Sequence, residues 1–483
     1  MKKTHSFRAL TAALKKMAGT AKVMRTATLA ATFAFALNAT AQQPVKFQHE
    51  VKKKETIFGI ANQNGLTVQE LIDANPKMKE PGFELKKGDV INIPYTATEY
   101  QEVKKKQAAT ATTTTTTAAT KGTKASKETD PRKREVRVGV VLPLHDVDGD
   151  GRRMVEYYRG LLMACDSIKR EGVSVNVHAW NLNIEGDASK IIKDPSAAEC
   201  DIIFGPLYTK QVKALGDFAL KNDIKLVIPF SISSDEVLRN RNIFQVYQND
   251  VDFSSSVIEK YMERFKDYHA IFIDCNDAES KKGIFTIPLR RTMEQKGTDF
   301  SITNLTSDDL AFQKAFSNKK KNMVILNSGK SPELRAAIAK LDKVKSANPS
   351  MEISIFGYTE WLMYEKYNID NFHKYDVYIP TSFYYNPNSS RVKRIEQRYR
   401  WAFHEDMQQA LPRFAITGFD QGYYFLRGLH LYGKEFYGNT GVNGNSGVQT
   451  PYHFKRNSGG GLQNTAFMFV HYIPGGGLES MNF

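Results

Sequence analysis

The stretch from Asp201 to Ser234, DIIFGPLYTKQVKALGDFALKNDIKLVIPFSISS, constrains the fold more than any other part of the chain. A short apolar run, Asp201–Phe204, stops at Gly205-Pro206, which suits a buried strand ending in a turn. Thr209 is placed to cap a helix whose apolar residues Val212, Leu215, Phe218 and Ala219 share one face. After Asn222-Asp223 the run Ile224–Ile228 reads as a second buried strand, stopped by Pro229 and a serine-rich loop. Strand, helix and strand in so short a span form a right-handed crossover between parallel strands. Ligands of such sheets sit beyond the carboxyl ends of the strands. Leu207, Tyr208 and Thr209 in one loop, and Phe230, Ser231, Ile232 and Ser233 in the next, therefore share a rim. The rim has no catalytic signature and is expected to form one wall of a binding cleft.

The same alternation runs on both sides of this unit. Strands are expected at Val136–Leu142, Val173–Trp180, Ala270–Asp274, Phe300–Asn304, Met323–Leu326, Met351–Phe356, Asp376–Pro380 and Phe467–Tyr472. Amphipathic helices are expected at Arg152–Arg170, from Asp252, at Phe285–Gln295, from a Ser331 cap with Pro332 in the first turn, and at Gly418–Tyr432. Two successive sets of this kind imply two lobes rather than one sheet.

At 483 residues the chain exceeds one ordinary core, and 41% hydrophobic content suits globular domains. The formal charge of +15 overstates the basicity of the body. Residues 1–41 hold seven basic side chains and no acidic one, and without them about +8 remains. No basic motif interleaved with aromatic residues accompanies that remainder, so nucleic acid is not an expected partner. The 1–41 segment reads as an export signal: a basic stretch, the apolar run Thr28–Leu37, and a small-x-small site at Ala39-Thr40-Ala41. No later window reaches membrane-spanning length. A protein of the periplasm or cell surface, associated with the wall, is expected.

Residues 47–94 form a separate pattern. A strand, Phe47–Val51, leads to a helix beginning near Thr56. Thr67 and Glu70 make a capping box for a second helix, Asn75-Pro76 stops it, and Lys87-Gly88-Asp89 turns into a closing strand, Val90–Ile93. The motifs V-K-x-x-x-T-I-x-x-I-A, T-V-x-E-L, the N-P pair and L-K-x-G-x-x-I-x-I-P closely resemble a LysM domain. That family binds N-acetylglucosamine-containing glycans, chiefly peptidoglycan. The resemblance implies a groove between Lys54, Glu55, Thr56 and Ile57 on one side and Asn75, Pro76, Lys77 and Met78 on the other. Lys54-Glu55 stand where the family usually has Gly-Asp. Residues 95–134, with only alanine and threonine from Ala108 to Thr120, read as a linker that gives a tethered domain reach.

Region 135–483 resembles a type I periplasmic-binding domain of the branched-chain amino-acid receptor kind. VRVGVVLPL, D-I-I-F-G-P-L, K-L-V-I-P-F-S, I-F-Q-V-Y-Q-N-D and F-G-Y-T-E-W-L carry the likeness. The fold class implied is α/β: two doubly wound parallel-sheet lobes preceded by the small α+β module. Three interlobe crossings are implied, near Tyr247–Asp252, Ile379–Phe383 and Gln449–His453. The matching ligand positions are Tyr208, Thr209, Ser231 and Ser233 in the first lobe, Asp252 at a crossing, and Thr359 or Glu360 in the second. Tyr247, Tyr358 and Trp361 are expected near the same cleft.

Other signals carry less. Asp146–Gly151 begins as D-x-D-x-D-G, but Tyr157 stands where a calcium loop needs a bidentate Glu. His404-Glu405 lacks a second His, and no G-x-S-x-G or P-loop occurs. Cys165, Cys200 and Cys275 fit small buried side chains as well as one disulfide with a thiol left over. No cofactor or metal is expected, and no enzyme. The expected function is a peptidoglycan-anchored binding protein with an amino-acid- or peptide-like ligand. The alternative is a regulator of wall synthesis or remodelling whose lobes dock a protein, such as a cell-wall enzyme or a transporter.

Overall fold

The computed structural model describes residues 45–53, 55–80, 83–96, 130–231, 233–438 and 447–483. The expected export segment, most of the linker, and Lys54 lie outside these residues. The chain divides into two compact units, the boundary falling between Lys121 and Gly122. Among the described residues no helix is long and apolar enough to cross a membrane.

In the first unit, strands β1 (Val45–Glu50) and β2 (Val90–Pro94) pair antiparallel around helices Ile57–Gln63 and Val68–Asp73. Thr56 caps the first helix by accepting from the Gly59 amide at 3.0 Å. Thr67 and Glu70 form the capping box reciprocally, at 3.1 and 2.7 Å. The core gathers Ile57, Ile60, Leu71, Met78, Ile91 and Ile93.

The second unit holds two seven-stranded sheets. The first lobe contains β3 (Val136–Leu142), β4 (Val175–Asn181), β5 (Ile202–Phe204), β6 (Lys225–Ile228) and β7 (Ile243–Gln245), all parallel. The second lobe contains β8 (His269–Asp274), β9 (Phe300–Asn304), β10 (Asn322–Leu326), β11 (Ile353–Phe356) and β12 (Tyr378–Thr381), again parallel. Helices cover both faces of such strands, so β5, β6, β10 and β11 are buried throughout and predominantly apolar, with Lys225, Asn322 and Ser354 as their buried polar exceptions. The expected crossover is present: β5, helix Thr209–Lys221, β6. Two caps differ from expectation. Tyr208 rather than Thr209 holds the cap position of that helix, without a side-chain bond, and Lys330 rather than Ser331 precedes helix Ser331–Ala347.

The chain leaves the first lobe between Gln245 and helix Asp250–Arg264. It returns after Thr381 through helices Ser390–Phe403 and Phe414–Tyr432, which pack on helix Gly149–Arg170 through Ile395, Tyr399, Ala415 and Ile416 against Met163 and Ala164. The third crossing corrects the sequence reading. It lies between Asn464 and Met468, not at Gln449–His453. β13 (Phe454–Arg456) and β14 (Leu462–Asn464) still belong to the first sheet, where Leu462 and Gln463 pair with Phe244 and Gln245. Buried Asp420 explains why the chain stays: its carboxylate accepts from the amides of Val448, Gln449 and Thr450. Only then do β15 (Met468–Ile473) and β16 (Gly477–Asn482) complete the second sheet as an antiparallel hairpin.

His471 pins that hairpin. Its two ring nitrogens reach Asp376 (2.6 Å) and Glu479 (2.9 Å), and the ring stacks on Tyr378 at 3.9 Å. Burial opposes the imidazolium, but the two carboxylates outweigh it and raise the pKa above its usual value. Stability from this group is therefore complete below about pH 6.5 and lost as pH rises through the higher folded pKa. A wild-type melting temperature that falls across this alkaline range is expected. His471→Gln should flatten that fall and cost about 1–2 kcal/mol at pH 6; an unchanged profile would refute the assignment.

Candidate functional site

In the first unit, side chains at the expected groove are largely committed internally. Ile57 and Met78 are buried in the core. Asn75 is buried as well: its amide nitrogen donates to the Leu71 and Asn92 carbonyls, and its oxygen accepts from the Asn92 amide. Asn75 thereby ties the second helix to β2. The Glu55 carboxylate accepts from the Lys52 amide and meets His49 Nε2, both at 2.8 Å. The amide bond first, then His49, holds its pKa below the usual carboxylate value. Thr56 is occupied as a cap. Pro76 and Lys77 alone of the described candidates are exposed. Any sugar at this groove would meet backbone groups and the Pro76-Lys77 surface.

In the second unit a cavity of about 430 Å³ opens between the lobes. It collects residues from all of the first two crossings and from loops at the carboxyl ends of β6, β8, β11 and β12, as the rule for open parallel sheets requires. Its walls are aromatic: Phe230, Tyr247, Phe253, Phe285, Tyr358 and Phe383. Phe230 stacks on Tyr247 at 6.2 Å, and Tyr247 meets Phe383 edge-on at 6.4 Å, so one aromatic row joins the first lobe to the second crossing.

Of the seven expected ligand residues, Thr359 and Glu360 line this cavity. The other five do not. Tyr208 donates to Asp150 at 3.1 Å, and Thr209 and Ser231 bond each other at 2.8 Å. Ser233 is exposed, and Asp252 accepts from Asn249 and Gln463. Of the first-lobe rim, Phe230 reaches the cavity. Trp361 is not a cleft residue either: it is fully buried beneath the site, donating from Nε1 to the Gly329 carbonyl at 3.1 Å.

Glu360 is already partnered. Lys282 Nζ lies 2.5 Å from its carboxylate and 4.5 Å from the Tyr358 ring centre. Gly329 makes room for the pair, since a Cβ there would stand 2.0 Å from Glu360 Oε1 and 2.9 Å from Lys282 Cε. Thr359 donates to the Pro380 carbonyl at 2.9 Å. Lys282 and Phe253 escaped the sequence reading, and Gln248 and Phe383 entered it only as crossing residues. Gln248 stands inside the quoted I-F-Q-V-Y-Q-N-D passage, but Lys282 follows an unremarkable polar loop and had no signal.

The discounted features have structural roles. Asp148 caps helix Gly149–Arg170 through the Gly151 amide at 2.7 Å, and Asp150 pairs with Arg153 and Tyr208. Among the described residues no cluster of His, Cys, Asp and Glu could hold a metal ion. All three cysteines are free and buried, and burial pushes their thiols up to about 12.

Comparison with known proteins agrees with this division. The LysM domain family matches residues 49–94. No curated protein matches the chain in sequence. Among solved structures, a candidate branched-chain amino acid ABC transporter from Rhodospirillum rubrum is similar over 72% of this chain and 100% of that one, at 12% identity and a TM-score of 0.52. LpoA from Haemophilus influenzae is similar over 72% of this chain and 59% of that one, at 14% identity and a TM-score of 0.46. The Streptococcus pneumoniae substrate-binding protein LivJ, in complex with isoleucine, aligns over 72% and 99% at 13% identity and a TM-score of 0.37. At such identities the likeness is one of fold. Residues 49–94 are a LysM domain, and the second unit has the two-lobed fold of type I periplasmic-binding proteins.

Proposed function

We propose that this chain is an exported, peptidoglycan-anchored binding protein without catalytic activity. The LysM domain holds N-acetylglucosamine-containing glycan, and the two-lobed unit takes an amino-acid- or peptide-like ligand between its lobes. The observation that carries this reading is the joining of a LysM domain to a two-lobed unit with a cavity of about 430 Å³ at its crossings. That volume lies within the range of small-ligand sites, about 300–1,000 Å³.

The full chain is expected to co-sediment with insoluble peptidoglycan, and the chain without residues 45–96 to remain in the supernatant. Equal sedimentation of both would remove the anchoring role. Binding should survive Lys77→Ala only weakly if the exposed Pro76-Lys77 surface contacts the sugar. Incubation with peptidoglycan should release no soluble fragments; release abolished by a single point substitution would overturn the non-catalytic reading.

A further inference from the structure

We infer that the interlobe cleft is built for an apolar side chain carried on an uncharged peptide group, and not for the charged ends of a free amino acid. The inference rests on the cleft being the binding site, and it names the ligand's chemistry.

Three observations lead to it. The first is the state of the charges. Lys282 and Glu360 face the cavity from loops after β8 and β11, and each is the other's partner at 2.5 Å. The Lys282 ammonium also lies over Tyr358, and both side chains pack against Gly329. A free amino acid would bring a carboxylate and an ammonium into a cleft whose opposite charges are already spent on each other. Burying an ion without a partner costs far more than burying a neutral amide. The remaining charged lining residues, Asp250 and Lys281, are exposed.

The second observation concerns the hydroxyls. Thr209 and Ser231, which would offer a carboxylate a charge-free cradle, are bonded to each other and do not line the cavity. The third is Gln248. It lines the cavity and is more than nine-tenths buried; its Oε1 has no hydrogen-bond partner among the described residues and is itself closed off from solvent, so a ligand reaches it once the side chain turns or the lobe angle changes. A buried amide oxygen without a donor is costly, about 1–3 kcal/mol, and calls for an N–H. A neutral peptide N–H supplies it without importing a charge. The Ser254 and Ser382 hydroxyls, also in the lining, can donate to the peptide carbonyl, and the aromatic walls take the side chain. Gln248 stands in the first crossing, between Gln245 and Asp250, where a change of lobe angle alters its surroundings directly.

The test uses the full chain and, for the wild type, four probes: N-acetyl-L-phenylalanine amide, N-acetyl-L-leucine amide, L-phenylalanine and L-leucine. Calorimetric titration should show at least one blocked probe binding about tenfold or more tighter than its free counterpart. Gln248→Leu should weaken that probe about tenfold while leaving the melting temperature of the free protein unchanged or higher, since it removes the unpaired oxygen. Glu360→Gln, which frees Lys282, should create affinity for N-acetyl-L-phenylalanine, whose only charge is a carboxylate. Free amino acids binding as tightly as blocked ones would overturn the inference and leave the cleft as a ligand site. Failure of all four probes, and of peptidoglycan-derived peptides, to bind would overturn both.

Discussion

Gly160→Ala is expected to destabilise the second unit by about 3 kcal/mol, although alanine is the better helix former by about 1 kcal/mol. The reason is the contact between helices Gly149–Arg170 and Phe414–Tyr432. A Cβ on Gly160 would stand 1.8 Å from the Ala415 carbonyl oxygen, and one on Gly418 would stand 1.9 Å from the Tyr157 carbonyl oxygen. Each glycine thus lets the other helix's backbone approach, and no side-chain rotation relieves a clash with backbone. Propensity and contact have opposite signs here, and contact wins. The same crossing holds the chain where it returns from the second lobe, with Tyr157 donating to Gln421 across it. Gly160→Ala and Gly418→Ala together should cost less than their sum, because separating the helices once relieves both. Chemical denaturation of each variant measures this. A gain in stability for either single variant would show that the helices are not in backbone contact.

Trp361→Ala is expected to cost about 3–5 kcal/mol, a large share of the roughly 5–15 kcal/mol that stabilises an ordinary domain. Trp361 is fully buried, stacks on Phe372 at 6.2 Å, and meets Tyr358 edge-on at 5.8 Å. Its ring lies against Gly357, where a Cβ would stand 2.4 Å from Cε3. Its Nε1 bond to Gly329 also positions the loop beneath the Lys282–Glu360 pair. Trp361→Phe should keep most of the packing and lose about 1 kcal/mol for the unbonded Gly329 carbonyl. Under the proposed reading of the cleft, Trp361→Phe should also weaken its binding of N-acetyl-L-phenylalanine amide. A stability loss below about 1 kcal/mol for Trp361→Ala would place the ring outside the core.

The sequence by itself determined the elements and their class. Buried parallel strands cannot expose either face, so β5 and the Leu226–Ile228 part of β6 appear as apolar runs bounded by Gly-Pro and Pro-Phe. The LysM domain was equally legible, because its capping box and its Asn75-Pro76 stop are local signals whose physics is complete within a few residues. Tertiary structure alone decided which rim residues meet. Tyr208, Thr209 and Ser231 lie on the expected loops, yet Asp150 satisfies the first and the other two satisfy each other. Nothing within the Asp201–Ser234 stretch announces Asp150, which arrives from a different helix. The third crossing moved for the same reason. Three amides at 448–450 are held by a carboxylate about thirty residues upstream, at Asp420. Lys282 meets Glu360 across three strands of intervening chain, β9, β10 and β11. Periodicity and caps act over one turn or one strand and can be read in order. Hydrogen-bond satisfaction is settled by whichever partner the fold brings within about 3 Å, and that depends on the whole chain at once.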